Sequence, residues 1–211
     1  MTPEEARKIV VEAGKRLLGE GLVARTWGNI SQRIDDKHIA ITPSGRPYES
    51  LKPEDIPILN IEDMTWDGPY KPSGEKKLHA AIYADDANVG AVIHTHQTNA
   101  STCAAARKTV AVAEEFKSVL GDEILCAAYG LPGSKKLTKG TAAAVLGRPA
   151  AFMANHGAVC AAADMDHAFE IAAVLEKACE RYIRDSFRRV SGSEVWDAEA
   201  VRTHYVKDQS V

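Results

Sequence analysis

Apolar residues recur along this chain with two periods, and the changes of period predict where its elements begin and end. Ala6, Ile9, Val10, Ala13, Leu17 and Leu18 are spaced three or four apart, which is one face of a helix. Thr2 stands at the expected N-cap, Pro3 at the first helical position, and Glu5 completes a capping box; Gly19 and Gly21 stop the helix. The short apolar runs 38–42 (HIAIT) and 56–61 (IPILNI) predict strands on either side of a turn-rich stretch. Residues 64–74 (MTWDGPYKPSG), with paired Pro and Gly, predict a loop around one short strand.

The second half alternates more tightly. Residues 75–85 (EKKLHAAIYAD) predict a helix with Leu78, Ala81 and Ile82 on one side, followed by a buried strand at 91–96 (AVIHTH). A helix is expected over 99–108 and strands at 109–113 and 123–129. Another helix is expected over 134–147, stopped by Gly147. Residues 149–162 (PAAFMANHGAVCAA) are apolar on both sides of a polar Asn-His-Gly centre, which predicts two short strands meeting there. Asp164 then caps a long helix over 167–187, with Ala168, Ile171, Ala172, Leu175, Ala178, Cys179 and Tyr182 as its apolar stripe. The tail after VSGSE (190–194) is polar and predicts a short helix. Strands and helices mix without a strict βαβ rhythm, so one α/β domain with a mixed or largely antiparallel sheet is expected.

Within this pattern, AVIHTH is core-like yet ends in two histidines. Side chains alternate along a strand, so His94 and His96 project from one face and Thr95 from the other. Two imidazoles on one face are half of a metal site. A catalytic zinc takes three protein ligands and keeps one position open. His156 is the best third candidate, because it interrupts an apolar run and a buried unpaired imidazole is costly. His38, His167 and His204 lie in polar surroundings and are expected at the surface.

Glu75 follows a Pro-Ser-Gly turn and opens a helix. The helix dipole favours a carboxylate there, so Glu75 is read either as a cap or as a base or metal ligand. His79 lies one helical turn later on the same face. Three turns, 26–31 (TWGNIS), 42–45 (TPSG) and 72–74 (PSG), offer backbone N–H groups and hydroxyls suited to an oxyanion. None carries a nucleotide-binding glycine pattern. Near a zinc site, they point to a small phosphorylated substrate.

Bulk properties narrow the class. The 211 residues are about one large domain's worth, and the net charge of −3 with an isoelectric point near 6.2 gives no basic face for nucleic acid. No apolar run reaches the roughly 20 residues of a membrane span, and the N-terminus lacks a signal-peptide core, so a cytoplasmic protein is expected. The four cysteines, 103, 126, 160 and 179, are widely spaced and are read as reduced core residues.

Taken in order, GNIS, ITPSGRPYESLKPEDI, PSGEKKLHAAIYADDANVGAVIHTH and ANHGAVCAAADMDHAFEIAAVLEKACERY resemble the successive signatures of the class II aldolase/adducin family, most like its L-fuculose-1-phosphate aldolase branch. The resemblance runs from the first helix to about residue 185. It implies a single αβα domain over 1–211 with a mostly antiparallel central sheet, assembled as a homotetramer with active sites between subunits and the tail 191–211 near a neighbour. It implies one zinc per chain on His94, His96 and His156, Glu75 as the acid/base, and a phosphorylated sugar held by Asn29, Ser44, Gly45, Ser73 and Gly74 with Thr26 nearby.

The chain departs from the family pattern in two places. It has P-S-G-E where the aldolases have P-S-S-E, leaving Gly74 only its backbone for phosphate. It also lacks a tyrosine in VAVAEEFKSV, where the aldolases have a proton donor supplied by a neighbouring subunit, so Glu114, Glu115, Tyr129 and Tyr205 are the candidates for the aldehyde end. The expected reaction is reversible cleavage of an L-fuculose-1-phosphate-like ketose 1-phosphate to dihydroxyacetone phosphate and an aldehyde. Related 4-epimerases carry Asp where this chain has Glu75, which argues for the aldolase. Sugar-acid phosphate decarboxylases and non-catalytic adducin-like modules are the alternatives, and the latter should lack the three histidines.

Overall fold

In the computed structural model, which describes residues 1–23 and 26–192, the first helix (α1) runs Pro3–Gly19. It begins as its capping box dictates: the Thr2 side chain accepts from the Glu5 N–H at 3.2 Å, and the Glu5 carboxylate accepts from the Thr2 N–H at 2.8 Å. Strands β1 (Asn29–Arg33), β2 (His38–Ile41), β3 (Ile58–Asn60) and β4 (Trp66–Asp67) follow. Helix α2 (Lys76–Asp85) leads into β5 (Ala91–Thr95), and α3 (Thr98–Ala105) leads to β6 (Val110–Ala111). The one-turn helix α4 (Lys117–Leu120), strand β7 (Glu123–Ala127) and helix α5 (Lys135–Val145) come next. Strands β8 (Ala150–Met153) and β9 (Gly157–Ala162) and the long helix α6 (Met165–Ser191) complete the described chain.

The strands form one nine-stranded sheet in the order β4-β3-β2-β1-β5-β9-β8-β7-β6. Its pairs are antiparallel except β7 with β8, so the sheet is mixed and mostly antiparallel, as the sequence led us to expect. Helices α1, α3 and α6 share one apolar layer and α2 and α5 the other. Strand β5 shows why AVIHTH looked like core: Ala91 and Ile93 face the first layer and Val92 the second, and all three are fully buried. Helix α6 buries its expected stripe, Tyr182 only partly, and adds Phe169 and Phe187. A fully buried side chain such as Phe169 is worth roughly 1.5–3 kcal/mol against leaving it exposed.

Some expectations need correction. The stretch GNIS is not only a turn: Asn29 begins β1, which pairs with β2 and β5. With one apolar residue in five, β1 has no hydrophobic signal, yet Ser31 and Gln32 are buried. Helix α2 buries Ala80 rather than Ala81, together with His79 and Tyr83. The strand expected over 109–113 is paired only at Val110–Ala111. The expected short helix of the tail, His204 and Tyr205 lie outside the described residues. Among the described residues, no helix is long and apolar enough to cross a membrane.

Candidate active site

His94 sits near the end of β5, opposite Val159 of β9, and is fully buried. Its Nδ1 lies 2.8 Å from the Ala158 carbonyl oxygen. A carbonyl only accepts, so Nδ1 carries the proton and the Nε2 lone pair points into the site. His96 follows just past the strand and presents its Nε2 to His94 Nε2 at 2.8 Å. His156 arrives from the β8–β9 turn, which closes through a hydrogen bond from the His156 N–H to the Met153 carbonyl at 2.9 Å. The three rings stand edge to face, with centroids 4.6, 4.8 and 5.1 Å apart.

The glycine of NHG has a steric reason. A Cβ on Gly157 would lie 2.3 Å from the Thr95 carbonyl oxygen and 3.2 Å from His94 Cε1, so only glycine lets β9 lie this close to the ligand strand.

The ligand atoms of His94, His96 and His156 lie within 4.8 Å of one another, and this group could hold a metal ion. Burial chiefly, then the neighbouring imidazoles, lowers the pKa of His156 and brings that of His96 to about 4, so both are neutral donors at physiological pH. Glu75 Oε2 lies 3.3 Å from His94 Nε2, a contact that a positive charge at this point, a shared proton or a bound cation, makes favourable. The residues therefore fit a divalent ion that prefers nitrogen donors.

Glu75 stands at the N-cap position of α2 but makes no side-chain cap hydrogen bond. Instead Oε2 accepts from Asn29 Nδ2 at 3.0 Å, and Oε1 lies 3.6 Å from His156 Nε2. Among the described residues, Oε1 is a buried oxygen without a hydrogen-bond partner. Burial pushes the Glu75 pKa up, but His94, the Asn29 amide and His156 outweigh it and hold it below the ordinary carboxylate value. The Glu75 side chain thus faces the histidines and makes no cap hydrogen bond at the start of α2.

Asn29 reaches Glu75 because β1 pairs in register with β5, placing Asn29 directly across from His94. Gly28 makes that approach possible: its φ is +120°, and a Cβ there would lie 2.8 Å from the His94 carbonyl oxygen. Asn29 Oδ1 in turn faces His79 Nε2, while His79 Nδ1 lies 2.6 Å from Ser31 Oγ. Tyr83, one turn further along α2, is 2.9 Å from both Ser31 Oγ and the Ser31 carbonyl oxygen. Burial brings the His79 pKa down to about 3, so it is neutral. Sequence reasoning noted His79 only as a neighbour of Glu75; the i, i+4 spacing of His79 and Tyr83 was the available signal.

The TPSG and PSG turns lie side by side. Pro43 and Pro72 form a bridge, the Ser44 N–H donates to the Lys71 carbonyl, and the Ser73 N–H donates to the Thr42 carbonyl at 3.0 Å. Ser73 is buried, and its Oγ accepts from the Glu75 N–H at 3.2 Å, whereas Ser44, Gly45 and Gly74 are exposed. Thr26 is partly buried three residues before Asn29.

The aldehyde-end candidates separate. Glu114 and Glu115 are solvent-exposed next to the edge strand β6, paired with Lys117 at 2.9 Å and Arg181 at 3.5 Å. Tyr129 lies under the Arg107 guanidinium at 5.6 Å, and Arg107 Nε donates to Asn155 Oδ1, next to His156. His38 and His167 pair with Asp35 and Asp164 at the surface, as expected.

Residues 8–183 match the family described as class II aldolase and adducin N-terminal domain. The chain is 32% identical over 183 residues to a 5-deoxy-D-ribulose 1-phosphate aldolase of Bacillus thuringiensis serovar kurstaki, with 86% of each chain covered. It is 32% identical over 176 residues to a 5-methylthioribulose-1-phosphate/5-deoxyribulose-1-phosphate aldolase of Rhodospirillum rubrum, covering 83% of this chain and 79% of that one. A solved structure of an L-fuculose 1-phosphate aldolase matches with a TM-score of 0.82 at 28% identity, over 97% of this chain and 96% of that one.

Proposed function

The chain belongs to the class II aldolase and adducin family, and from that premise we propose that it is a zinc-dependent aldolase that reversibly cleaves a ketose 1-phosphate to dihydroxyacetone phosphate and an aldehyde. The observation that carries this reading is Glu75. Its carboxylate leaves the helix end it could have capped and lies 3.3 Å from His94 Nε2 and 3.6 Å from His156 Nε2.

His94, His96 and His156 would hold the ion, about one per chain, and a bound zinc supplies Lewis-acid polarisation of a substrate oxygen and charge neutralisation at that point. In cleavage, the C4 hydroxyl loses its proton, the C3–C4 bond breaks, C4 becomes the aldehyde carbonyl, and the electron pair stays with the three-carbon phosphate fragment as an enediolate. Glu75, ionised at rest, takes up a proton from solvent and delivers it to C3, while the acceptor of the C4 hydroxyl proton returns that proton to solvent; in the reverse direction the Glu75 carboxylate removes the C3 proton. The acceptor of the C4 hydroxyl proton is one of Glu114, Glu115, Tyr129 and Tyr205, the first, second and last supplied by a neighbouring subunit of a tetramer. Ser73, Asn29, Ser44, Gly45 and Gly74, with Thr26 nearby, hold the phosphate and fix its distance from Glu75.

The names of the curated relatives favour a 5-deoxy ketopentose 1-phosphate, and the solved structure an L-fuculose 1-phosphate. Zinc-loaded protein should release dihydroxyacetone phosphate from at least one of these two. Glu75→Gln should retain zinc and lower turnover by about two to four orders of magnitude. Interconversion of pentulose 5-phosphate epimers without release of a three-carbon fragment would replace the aldolase by an epimerase. Full turnover in Glu75→Gln would make Glu75 a bystander.

A further inference from the structure

We propose that His79 is a positioning residue: as the neutral Nε2–H tautomer it fixes which way the Asn29 amide faces, and thereby holds the Glu75 carboxylate in place for proton transfer. The inference rests on the reading of Glu75 as the base. It concerns a fully buried imidazole that lies outside the three-histidine group.

The hydrogen-bond directions follow from donor and acceptor capacity. An ionised carboxylate only accepts, so Asn29 must turn its NH₂ toward Glu75, as it does at 3.0 Å. Its carbonyl oxygen then faces His79 Nε2, which must be the protonated nitrogen. A neutral imidazole has one donor and one acceptor, so Nδ1 accepts from the Ser31 hydroxyl at 2.6 Å. The Tyr83 hydroxyl closes the chain by donating to Ser31, at 2.9 Å from both its Oγ and its carbonyl oxygen. All five side chains have one consistent direction of donation, from Tyr83 through Ser31, His79 and Asn29 to Glu75. The opposite tautomer breaks it: Asn29 would have to flip to stay paired with His79, setting its carbonyl oxygen against the Glu75 carboxylate.

Side-chain shape provides a test. Gln at 79 places an amide N–H near the position of Nε2 and keeps a donor for Asn29, whereas Asn reaches only the position of Nδ1 and leaves Asn29 without one. The readout is exchange of the dihydroxyacetone phosphate C3 proton in D₂O by zinc-loaded protein, with zinc content measured on each variant. His79→Gln should exchange within about threefold of wild type. His79→Asn should slow the maximal rate by about ten- to a hundredfold, with zinc content unchanged and half-saturation by dihydroxyacetone phosphate, which Asn29 would also contact, shifting by a smaller factor than the rate. Equal rates in the two variants, or a loss confined to half-saturation, would overturn the proposal. Glu75→Gln run alongside separates the two readings: if it exchanges at the wild-type rate the base assignment fails, and if it does not while the His79 variants match, only the role of His79 fails. Side-chain ¹⁵N spectra of the wild-type protein, with His79 identified by its absence in His79→Gln, decide the matter even if His79→Asn does not fold. An Nε2–H signal is expected, and an Nδ1–H signal contradicts the proposal.

Discussion

His79 and His94 are both fully buried, and both stand within reach of the same carboxylate through at most one intervening residue, yet their nitrogens are disposed of differently. Each nitrogen of His79 has a protein partner of matching polarity. His94 has such a partner only on Nδ1, and its Nε2 is aimed at the nitrogen of another imidazole and at a carboxylate. Satisfied groups specify a scaffold, and converging unsatisfied acceptors specify a cation. Residue type and burial alone do not separate the two.

The most severe way to break this contrast is to remove a converging ligand. His94→Ala or His156→Ala should abolish activity and reduce bound zinc to less than about a tenth of one ion per chain, because a three-ligand site loses a third of its donors. Far-ultraviolet circular dichroism should keep its native form. Zinc at the wild-type level in both variants would remove these histidines from the ligand set.

A middle-sized effect probes the rim. Ser73→Ala removes a buried hydroxyl beside Glu75 that the phosphate would share. A hydrogen bond to a charged group is worth about 1.5–3 kcal/mol, so KM should rise by about one to two orders of magnitude while kcat stays within a few-fold. A fall in kcat at constant KM would move Ser73 from phosphate binding to the support of Glu75.

The smallest effect sharpens the comparison through acid stability. The pKa of His79 is about 3 in the folded protein against about 6.5 when unfolded. Between these values the unfolded chain holds a proton that the folded chain does not. Stability therefore rises with pH through this window and is lost on acidification, by up to about 1.4 kcal/mol per pH unit for this one group. In metal-free protein, His79→Gln should flatten the acid limb of urea midpoints between about pH 6 and 4. An unchanged slope would mean that His79 is already protonated in the folded state.

The ease of reading these two histidines from sequence was also unequal. His94, His96 and His156 interrupt or end apolar runs, so their cost was visible in one dimension, and the capping box of α1, the Asp164 cap of α6 and the long stripes of both helices were visible for the same reason. His79 sits in a helix whose polar and apolar residues alternate poorly, and its partners Asn29 and Ser31 come from a strand that has no hydrophobic signal. Both become core only because each buries a polar group against the other. Such mutual satisfaction is a property of pairs distant in sequence, which periodicity does not report. The meeting of Tyr129 and Asn155 at the Arg107 guanidinium is hidden likewise, since it joins two loops through a third residue.

The position of β5 between β1 and β9 has a consequence for how the chain matures. His94 meets Asn29 only when one ladder is in register, and meets His156 only when the other is. Both ladders join segments far apart in the sequence, and such contacts form slowly because loop closure must precede them. A one-residue slip of β1 would carry Asn29 off the face it shares with His94. High-affinity ion capture by the three histidines would then be a late event in folding, and a chain that held an ion there tightly would already have passed an inspection of its central strand pairing.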